Sequence, residues 1–496
     1  MTRSLARGIL AGAIACGLLG FGAVQAAAKD SLTLAMPLEP PHLDPTAGAA
    51  AAIDEVVYAN IFEGLTRIDS SGTVQPALAE RWSVSGDGLT YTFALRSGVP
   101  FHDGTGFDSA DVKFSLDRAM AEDSTNAQKG LFGAIAEVAA PDADTVVITL
   151  KQPAGNLLFN LGWGDAVIVA PESAANNKTN PVGTGPFAFE RWVKGDRVEM
   201  VRNDSYWGTP AKLAKATIKI IPDPAAATAA MLAGDIDAYP NFPAPEALAQ
   251  FEADPRFKVV IGSTEGETIL AINNARGPLS DLRVRRALSH AVDRQAVIDG
   301  AMFGYGTPIG THFAPHHPAY VDLTASYPYD PAKAKALLAE AGYAEGLKLS
   351  LKLPPPSYAR RGGEIIAAQL AAVGVETEIS QLEWAQWLEQ VFRGTDYDLT
   401  IVSHTEPMDI GIYGRETYYF NYQDADFKAL MAKLNATVDE GARYGLLADA
   451  QKKLSDDAVN VFLFQLAKHG VWNKDVIGLW ENSPVQANDL TAVYWQ

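Results

Sequence analysis

An α/β fold is predicted for this chain from three observations. Strand-like and helix-like segments alternate along the sequence, without a fixed repeat. The strand-like segments, such as Thr145 to Leu150 (TVVITL), are rich in β-branched residues. Two helical segments begin at an aspartate followed by proline and end at a glycine, which are typical start and stop signals.

The individual elements follow from the same signals. Three further strands are predicted by alternation, by aromatic content or by a preceding glycine stop: Ser31 to Met36, Tyr91 to Leu95 and Val375 to Ile379. Five helices are predicted by their caps or by apolar spacing: Asp223-Pro224 to Gly234, Ser280 or Asp281 to His290, Asp293 to Gly304, Asp330-Pro331 to Gly342, and Arg361 to Val373.

The first 28 residues resemble an export signal peptide rather than part of the fold. Arg3 and Arg7 precede an apolar run from Gly8 to Val24, and small residues offer cleavage after Ala26 or Ala28. The run is shorter than the roughly 20 residues that span a bilayer. We therefore expect a periplasmic protein whose signal peptide is cleaved.

Cys16 is the only cysteine in the sequence. The segment around it resembles a lipoprotein box, but leucine is missing three positions before the cysteine, so we favour cleavage over a lipid anchor at Cys16. Cleavage after Ala26 leaves a mature chain without cysteine, which excludes disulfides, thiolate metal ligands and cysteine nucleophiles.

The net charge is −19, and loss of Arg3 and Arg7 with the signal peptide leaves about −21. Nucleic acids and anionic lipids bind through basic patches, and no Lys/Arg cluster offers one. We expect no nucleic-acid partner and a soluble monomer. A chain of this length divides into two or three domains.

Searches for catalytic motifs find no nucleophile elbow, phosphate-binding loop, zinc-protease helix or Cys-x-x-Cys pair. The segment with His404 and Glu406 offers a histidine with an acid close to it in sequence. We expect no enzyme activity, no cofactor and no bound metal.

A series of motifs in a fixed order resembles the family 5 solute-binding proteins of ABC transporters, which include dipeptide, oligopeptide and nickel-complex receptors. The motifs that carry the resemblance are Leu43-Asp44-Pro45, Glu63-Gly64-Leu65, Leu95 to Gly104 (LRSGVPFHDG), Pro181 to Phe187 (PVGTGPF), Leu282 to Leu288 (LRVRRAL) and Tyr329 to Ala334 (YDPAKA).

The resemblance implies a periplasmic binding protein type II-like fold, with two lobes, a double-strand hinge and an extra α/β domain. It places residues 29–67, 170–268 and 477–496 in lobe I, the extra domain at 68–169 and lobe II at 269–476. The chain would cross between the lobes near 269–273 and 472–476.

The resemblance also implies a function. The protein would close around a short peptide, or a peptide-like or opine-like carboxylate, and deliver it to ABC permease subunits driven by cytoplasmic ATPases. The alternative within the family is a metal-chelate receptor of the nickel type. Closure would stabilise the liganded state through contacts that both lobes make only when closed.

In peptide-binding relatives, an aspartate four positions before a proline pairs with the ligand's α-ammonium. Counting back from Pro407 reaches Ser403, which cannot supply that charge. His404, Glu406 and Asp409 follow in the same segment, and Glu406 or Asp409 can substitute for the missing aspartate.

The carboxylate end of the ligand has a candidate in Arg360, which occupies the position of an arginine clamp in dipeptide receptors. A guanidinium matches a carboxylate with two charge-assisted hydrogen bonds. The alternative is that Arg360 begins the following helix on a solvated face.

Further candidates for the ligand site are Asn273, Trp384 and Tyr413. Trp384 and Trp387 have the spacing of one buried helical face, so core packing is favoured for them. The three histidines His312, His316 and His317 have a spacing compatible with metal ligation, but an exposed proline-rich loop is favoured, since no acid adjoins them in sequence.

Overall fold

A computed structural model describes residues 29–48 and 50–496. The predicted signal peptide, with Cys16, lies outside the described residues. The strands are β1 (Ser31–Met36), β2 (Thr66–Ile68), β3 (Val74–Pro76), β4 (Ala79–Val84), β5 (Thr90–Leu95), β6 (Ile135–Asp142), β7 (Thr145–Leu150), β8 (Phe187–Val193), β9 (Arg197–Arg202), β10 (Lys215–Ile220), β11 (Ala238–Tyr239), β12 (Phe257–Ile272), β13 (Thr307–Pro308), β14 (Leu347–Leu353), β15 (Val375–Gln381), β16 (Leu399–His404), β17 (Val461–Asn473), β18 (Val476–Ile477) and β19 (Tyr494–Trp495).

The helices are α1 (Ala51–Val57), α2 (Ser109–Met120), α3 (Leu157–Asn160), α4 (Pro224–Ala233), α5 (Leu248–Glu252), α6 (Leu282–Ala291), α7 (Arg294–Met302), α8 (Pro331–Glu340), α9 (Ser357–Ala372), α10 (Trp384–Trp387), α11 (Ala425–Ala436) and α12 (Glu440–Asp456). None of the helices within residues 29–48 and 50–496 is both long and apolar enough to cross a bilayer.

The predicted helix caps are confirmed. The Asp223 carboxylate accepts a hydrogen bond from the Ala226 amide at 2.7 Å, and α4 ends at Gly234, whose φ is +77°. Helix α9 begins at Ser357 rather than at the predicted Arg361, because its first turn already buries Ala359 against the core. Arg360 is therefore inside the helix.

One mixed sheet of 11 strands runs through the molecule in the order β15-β14-β16-β12-β17-β11-β1-β10-β9-β8, with β13 beside β17. The pairs β1–β10 and β14–β15 are parallel, and the central pair β12–β17 is antiparallel. The two long central strands, β12 and β17, thus connect the part of the sheet that contains β14 to β16 with the part that contains β1 and β8 to β11.

Apolar packing changes along the β12–β17 pair. Val260 and Trp472 join one core with β1 and β10, whereas Ile272 and Val461 join a different core with β14, α6 and α9. Between these two regions the pairing register shifts, from Ser263 opposite Ala467 to Glu267 opposite Gln465. A register shift of this kind bends a strand pair locally.

A second sheet of four antiparallel strands, in the order β4-β5-β7-β6, has its own core under α2. The inward residues of β5 and β7, such as Phe93 and Ile148, are fully buried and alternate with half-exposed ones. Gln128 and Leu131 lie between α2 and β6, and Trp163 follows α3; the neighbouring residues Phe132 and Leu161 belong to this core.

The Gly183-Thr184-Gly185 segment of the Pro181 to Phe187 motif lies against the backbone of residues 60 and 61. A Cβ atom on Gly183 would lie 2.0 Å from the Ile61 carbonyl oxygen, and one on Gly185 would lie 2.3 Å from that of Asn60. The glycines are needed for this close backbone approach.

Candidate functional site

A cavity of about 430 Å³ lies at the end of β16. Its lining comes from the segment that follows β16, from aromatic residues near α10, and from residues of the region that contains the four-stranded sheet. The cavity is lined by Gln128, Leu131, Trp163, Trp387, Leu388, Phe392, Val402, Ser403, His404, Thr405, Glu406, Pro407, Asp409, Ile412, Arg415, Tyr418 and Tyr419.

The chain turns sharply after β16, which brings Asp409 back to His404. Met408 has a φ of +57°, a left-handed conformation that is uncommon for a residue with a side chain. A short 3-10 turn, Asp409–Gly414, follows it. As a result, Oδ2 of Asp409 lies 3.2 Å from Nδ1 of His404.

His312 completes a buried cluster with these two residues. Its Nε2 atom lies 2.6 Å from Oδ1 of Asp409, and its Nδ1 atom lies 3.1 Å from the hydroxyl of Tyr413. The Nε2 atom of His404 lies 2.8 Å from the hydroxyl of Tyr419. Neutral imidazoles satisfy every contact, because each donates one N–H to the carboxylate and accepts one tyrosine O–H.

The charges of the cluster follow from burial and hydrogen bonding. Burial lowers the pKa of His312, which favours its neutral form. Burial alone would raise the pKa of Asp409, but the hydrogen bonds and charge interactions with His312 and His404 hold that pKa below its ordinary value. Asp409 is therefore an ionised, fully hydrogen-bonded carboxylate.

Two further carboxylates lie next to this cluster, on β12. Oε1 of Glu265 lies 2.6 Å from Nε2 of His316. Burial, together with the charges of Asp409 and Glu265, raises the pKa of Glu267 well above its ordinary value. Glu267 thus lies within range of charge interactions with three other carboxylates, those of Asp409, Glu265 and Glu406.

A second cavity, of about 340 Å³, lies along β17 and shares Thr405 with the first. It is lined in part by Glu55 and Lys468. Burial raises the pKa of Glu55 to about 7 and lowers that of Lys468 to about 8. The ammonium of Lys468 donates a 2.8 Å hydrogen bond to the carbonyl of Trp480.

Four of the predicted site residues are brought together by the structure. Ser403, His404, Glu406 and Asp409 all line the larger cavity. The Ser403 hydroxyl is buried and has no hydrogen-bond partner among residues 29–48 and 50–496. Tyr413 lies behind them, where its hydroxyl contacts His312 and accepts a hydrogen bond from Asn460.

Three other predicted residues lie outside the lining of this cavity. Arg360 is bound by Glu383 at 3.1 Å on the surface of α9. Asn273 donates to the carbonyls of Thr395 and Tyr397, so its side chain holds the backbone together. The side chain of Trp384 is 42% exposed, and core packing is therefore wrong for it, although Trp387 is buried as expected.

The prediction of an exposed histidine loop is wrong for His312. Its side chain is 1% exposed, and its acidic partner Asp409 is distant in sequence. Sequence reasoning also missed Trp163, Arg415 and Tyr419. The run Tyr418-Tyr419-Phe420 is a signal that could have indicated an aromatic wall.

The cluster of His312, His404 and Asp409 has the composition of a metal site. Their ligand atoms lie within 4.8 Å of one another, and two imidazoles with one carboxylate suit zinc, nickel or iron. All of these atoms already make hydrogen bonds within the protein, so a metal ion would have to displace tyrosine or histidine partners.

The fold and the cavity at the end of β16 together define a periplasmic binding protein of the type II-like class. The profile described as "Bacterial extracellular solute-binding proteins, family 5 Middle" matches residues 73–426. The chain belongs to this family of ABC-importer solute-binding proteins, as its sequence motifs predict.

Known proteins similar to this chain bind different solutes. The glutathione-binding protein GsiB of Salmonella paratyphi A is 34% identical over 357 residues, which are 70% of this chain and 69% of that protein. DppA from Helicobacter pylori in complex with the peptide STSA has a TM-score of 0.80 at 26% identity, over 94% of this chain and 98% of that one. NikZ from Campylobacter jejuni in complex with Ni(L-His) has a TM-score of 0.76 at 26% identity, over 91% and 95%.

Proposed function

We propose that this protein is a periplasmic receptor that closes around a short peptide, or a peptide-like or opine-like carboxylate, and delivers it unchanged to an ABC permease. The observation that carries the proposal is a cavity of about 430 Å³ that offers both acidic groups and a guanidinium. A cavity of this size holds a small solute.

The ammonium end of the solute is assigned to the segment Ser403 to Asp409. The hydroxyl of Ser403 accepts one hydrogen bond, and Glu406 and Asp409 supply the negative charge that Ser403 lacks.

The carboxylate end is assigned to Arg415 instead of Arg360. Arg415 lines the same cavity, and its guanidinium carbon lies 5.3 Å from the centre of the Tyr418 ring. The aromatic ring restricts the guanidinium without occupying its N–H donors. Arg360, in contrast, is paired with Glu383.

Closure is assigned to the β12–β17 pair. Lobe I would comprise 29–67, 170–268 and 477–496, with the extra domain at 68–169 and lobe II at 269–476. The change of core and the register shift between Ser263 and Glu267 support a crossing near 261–268, before the segment 269–273 that the sequence predicts. Two strands between rigid bodies permit bending through a few torsions.

A metal chelate is the second candidate, because His312, His404 and Asp409 cluster beside the cavity. Nickel–histidine is the appropriate probe for this alternative. The saturated hydrogen bonding of the cluster favours the peptide-like solute instead.

The test is a thermal-shift screen of the mature chain with Ala-Ala, N-acetyl-Ala-Ala, Ala-Ala amide, glutathione and nickel–histidine. Mass action predicts stabilisation by about 4 kcal/mol at a thousandfold excess over Kd. We expect a free ammonium and a free carboxylate both to be required. Stabilisation by nickel–histidine alone would establish the alternative, and chemical turnover of any probe would contradict a receptor.

A further inference from the structure

A small recess opens beside the larger cavity and is separate from the cluster around Asp409. Its volume is about 50 Å³. Gln128, Trp163 and Glu406 line both the recess and the larger cavity, so a solute in the cavity is adjacent to the recess. The remaining lining residues are Gly48, Asp54, Ala127, Asp165 and Gln486.

Two carboxylates in the recess have oxygens that the protein leaves without hydrogen bonds. Asp54 and Asp165 are 9% and 5% exposed, and Oδ1 of each is buried without a partner within residues 29–48 and 50–496. Buried carboxylate oxygens are almost always hydrogen-bonded or paired with a cation, because leaving them unpaired is costly. These two oxygens therefore indicate a ligand.

The position of Asp54 depends on the glycine opposite it. A Cβ atom on Gly164 would lie 2.3 Å from Oδ1 of Asp54, so a larger residue at position 164 would displace the carboxylate. The side chain of Asp54 comes from α1 and that of Asp165 from the turn after Trp163. Two separate elements thus bring acids to one point.

The ionisable residues that line the recess are all acids. Three of its eight lining residues are acidic, and none is Lys, Arg or His. Burial, with Asp165 and Glu55 nearby, raises the pKa of Asp54, and burial raises the pKa of Asp165 to about 7. Trp163 adds an aromatic ring, which also favours a cation.

We propose that Asp54, Asp165 and Glu406 form a subsite for a second cationic group of the solute, a primary ammonium or a guanidinium. This inference rests on the proposed receptor function and narrows it to basic peptide-like solutes. About 10–15 Å³ of such space is enough for one water, so a recess of about 50 Å³ has room for a cationic head group with neighbouring water. In the proposed division into lobes, Asp54 belongs to lobe I, Asp165 to the extra domain and Glu406 to lobe II, so the subsite would form fully when the lobes close.

The test compares Ala-Lys and Ala-Arg with Ala-Leu by isothermal titration calorimetry on the mature chain. We expect the basic dipeptides to bind at least tenfold more tightly. Asp165→Asn and Asp54→Asn should abolish this preference while the affinity for Ala-Leu stays within twofold. The exposed Glu122→Gln serves as a control that retains the preference.

The outcomes separate this subsite from the proposed function. Equal wild-type affinities for Ala-Lys and Ala-Leu would overturn the subsite and leave the receptor function standing. Failure of every dipeptide to bind would overturn both. Stabilisation by Mg²⁺, Ca²⁺ or Ni²⁺ alone that Asp165→Asn removes would assign the recess to an inorganic ion and overturn the solute assignment. The comparison of wild-type affinities for Ala-Lys and Ala-Leu tests the subsite even if a variant folds poorly.

Discussion

Nε2 of His312 lies 2.6 Å from Oδ1 of Asp409, although the two residues are 97 positions apart in the chain. His404 contacts the other oxygen of the same carboxylate. Asp409 is thus held from two sides in a network that reaches Tyr413 and Tyr419. Such a network fixes the carboxylate at the cavity wall before any solute arrives, which reduces the ordering that binding requires.

Substitution of Asp409 should destabilise the protein as well as weaken binding. Asp409→Ala removes the acceptor of two buried imidazole N–H groups, and we expect a loss of about 2–6 kcal/mol in the free energy of unfolding, at roughly 1–3 kcal/mol for each unmade bond. Urea unfolding at pH 7 measures this. The matched control is Asp449→Ala, whose side chain is 63% exposed. Equal unfolding free energies for the two variants would show that the network contributes nothing.

The sequence was sufficient to predict the local parts of this site. Ser403, His404, Glu406 and Asp409 lie in one short segment after a strand, so any fold that places one of them at the cavity brings the others close. The caps of α4 and α8 were predictable for the same reason, because they depend on residues three or four positions apart.

The rest of the site depends on contacts between distant segments. His312 appears as one of three histidines in a proline-rich loop, and its burial depends on packing against residues near 404 and 413. Arg360 is likewise paired with Glu383, which follows the next strand. Neither pairing has a period or spacing that a single sequence reveals.

The assignment of the solute carboxylate predicts a contrast between two arginines. Arg415→Ala should weaken binding of Ala-Ala or another bound zwitterion by at least tenfold, because a carboxylate in the cavity would lose its charged partner. Arg360→Ala should leave the affinity within twofold, since its guanidinium is paired with Glu383. Calorimetric titration of both variants measures the contrast. The reverse result would assign the solute carboxylate to Arg360 instead of Arg415.

The crossing between the proposed lobes makes a prediction about Gly262 on β12. A Cβ atom there would lie 1.7 Å from the carbonyl oxygen of Glu481, so Gly262→Ala must push two backbone segments apart. We expect a cost of more than about 2 kcal/mol, as for other overpacking substitutions. Chemical denaturation measures it against Gly86→Ala, where no atom lies within 4 Å of the added Cβ. Similar stabilities for the two variants would exclude a tight contact at this position.

The acid pair in the recess predicts an unusual dependence of stability on pH. Burial raises the pKa of Asp165 to about 7, from 3.8 in the unfolded chain. Between these two values the unfolded state releases a proton that the folded state retains, so the free energy of unfolding falls as pH rises from about 4 to about 7. Asp165→Asn removes this titration. The free energy of unfolding of the variant should match that of the wild type near pH 4 and exceed it by up to about 4 kcal/mol at pH 7.5, since each pKa unit corresponds to about 1.36 kcal/mol.

Urea unfolding of the ligand-free protein at both pH values measures this difference, with Glu122→Gln as the exposed control. A stability difference that is the same at both pH values would show that Asp165 ionises normally in the folded state. Saturation with Ala-Lys should reverse the trend, because a bound cation stabilises the ionised carboxylate and therefore favours binding at higher pH.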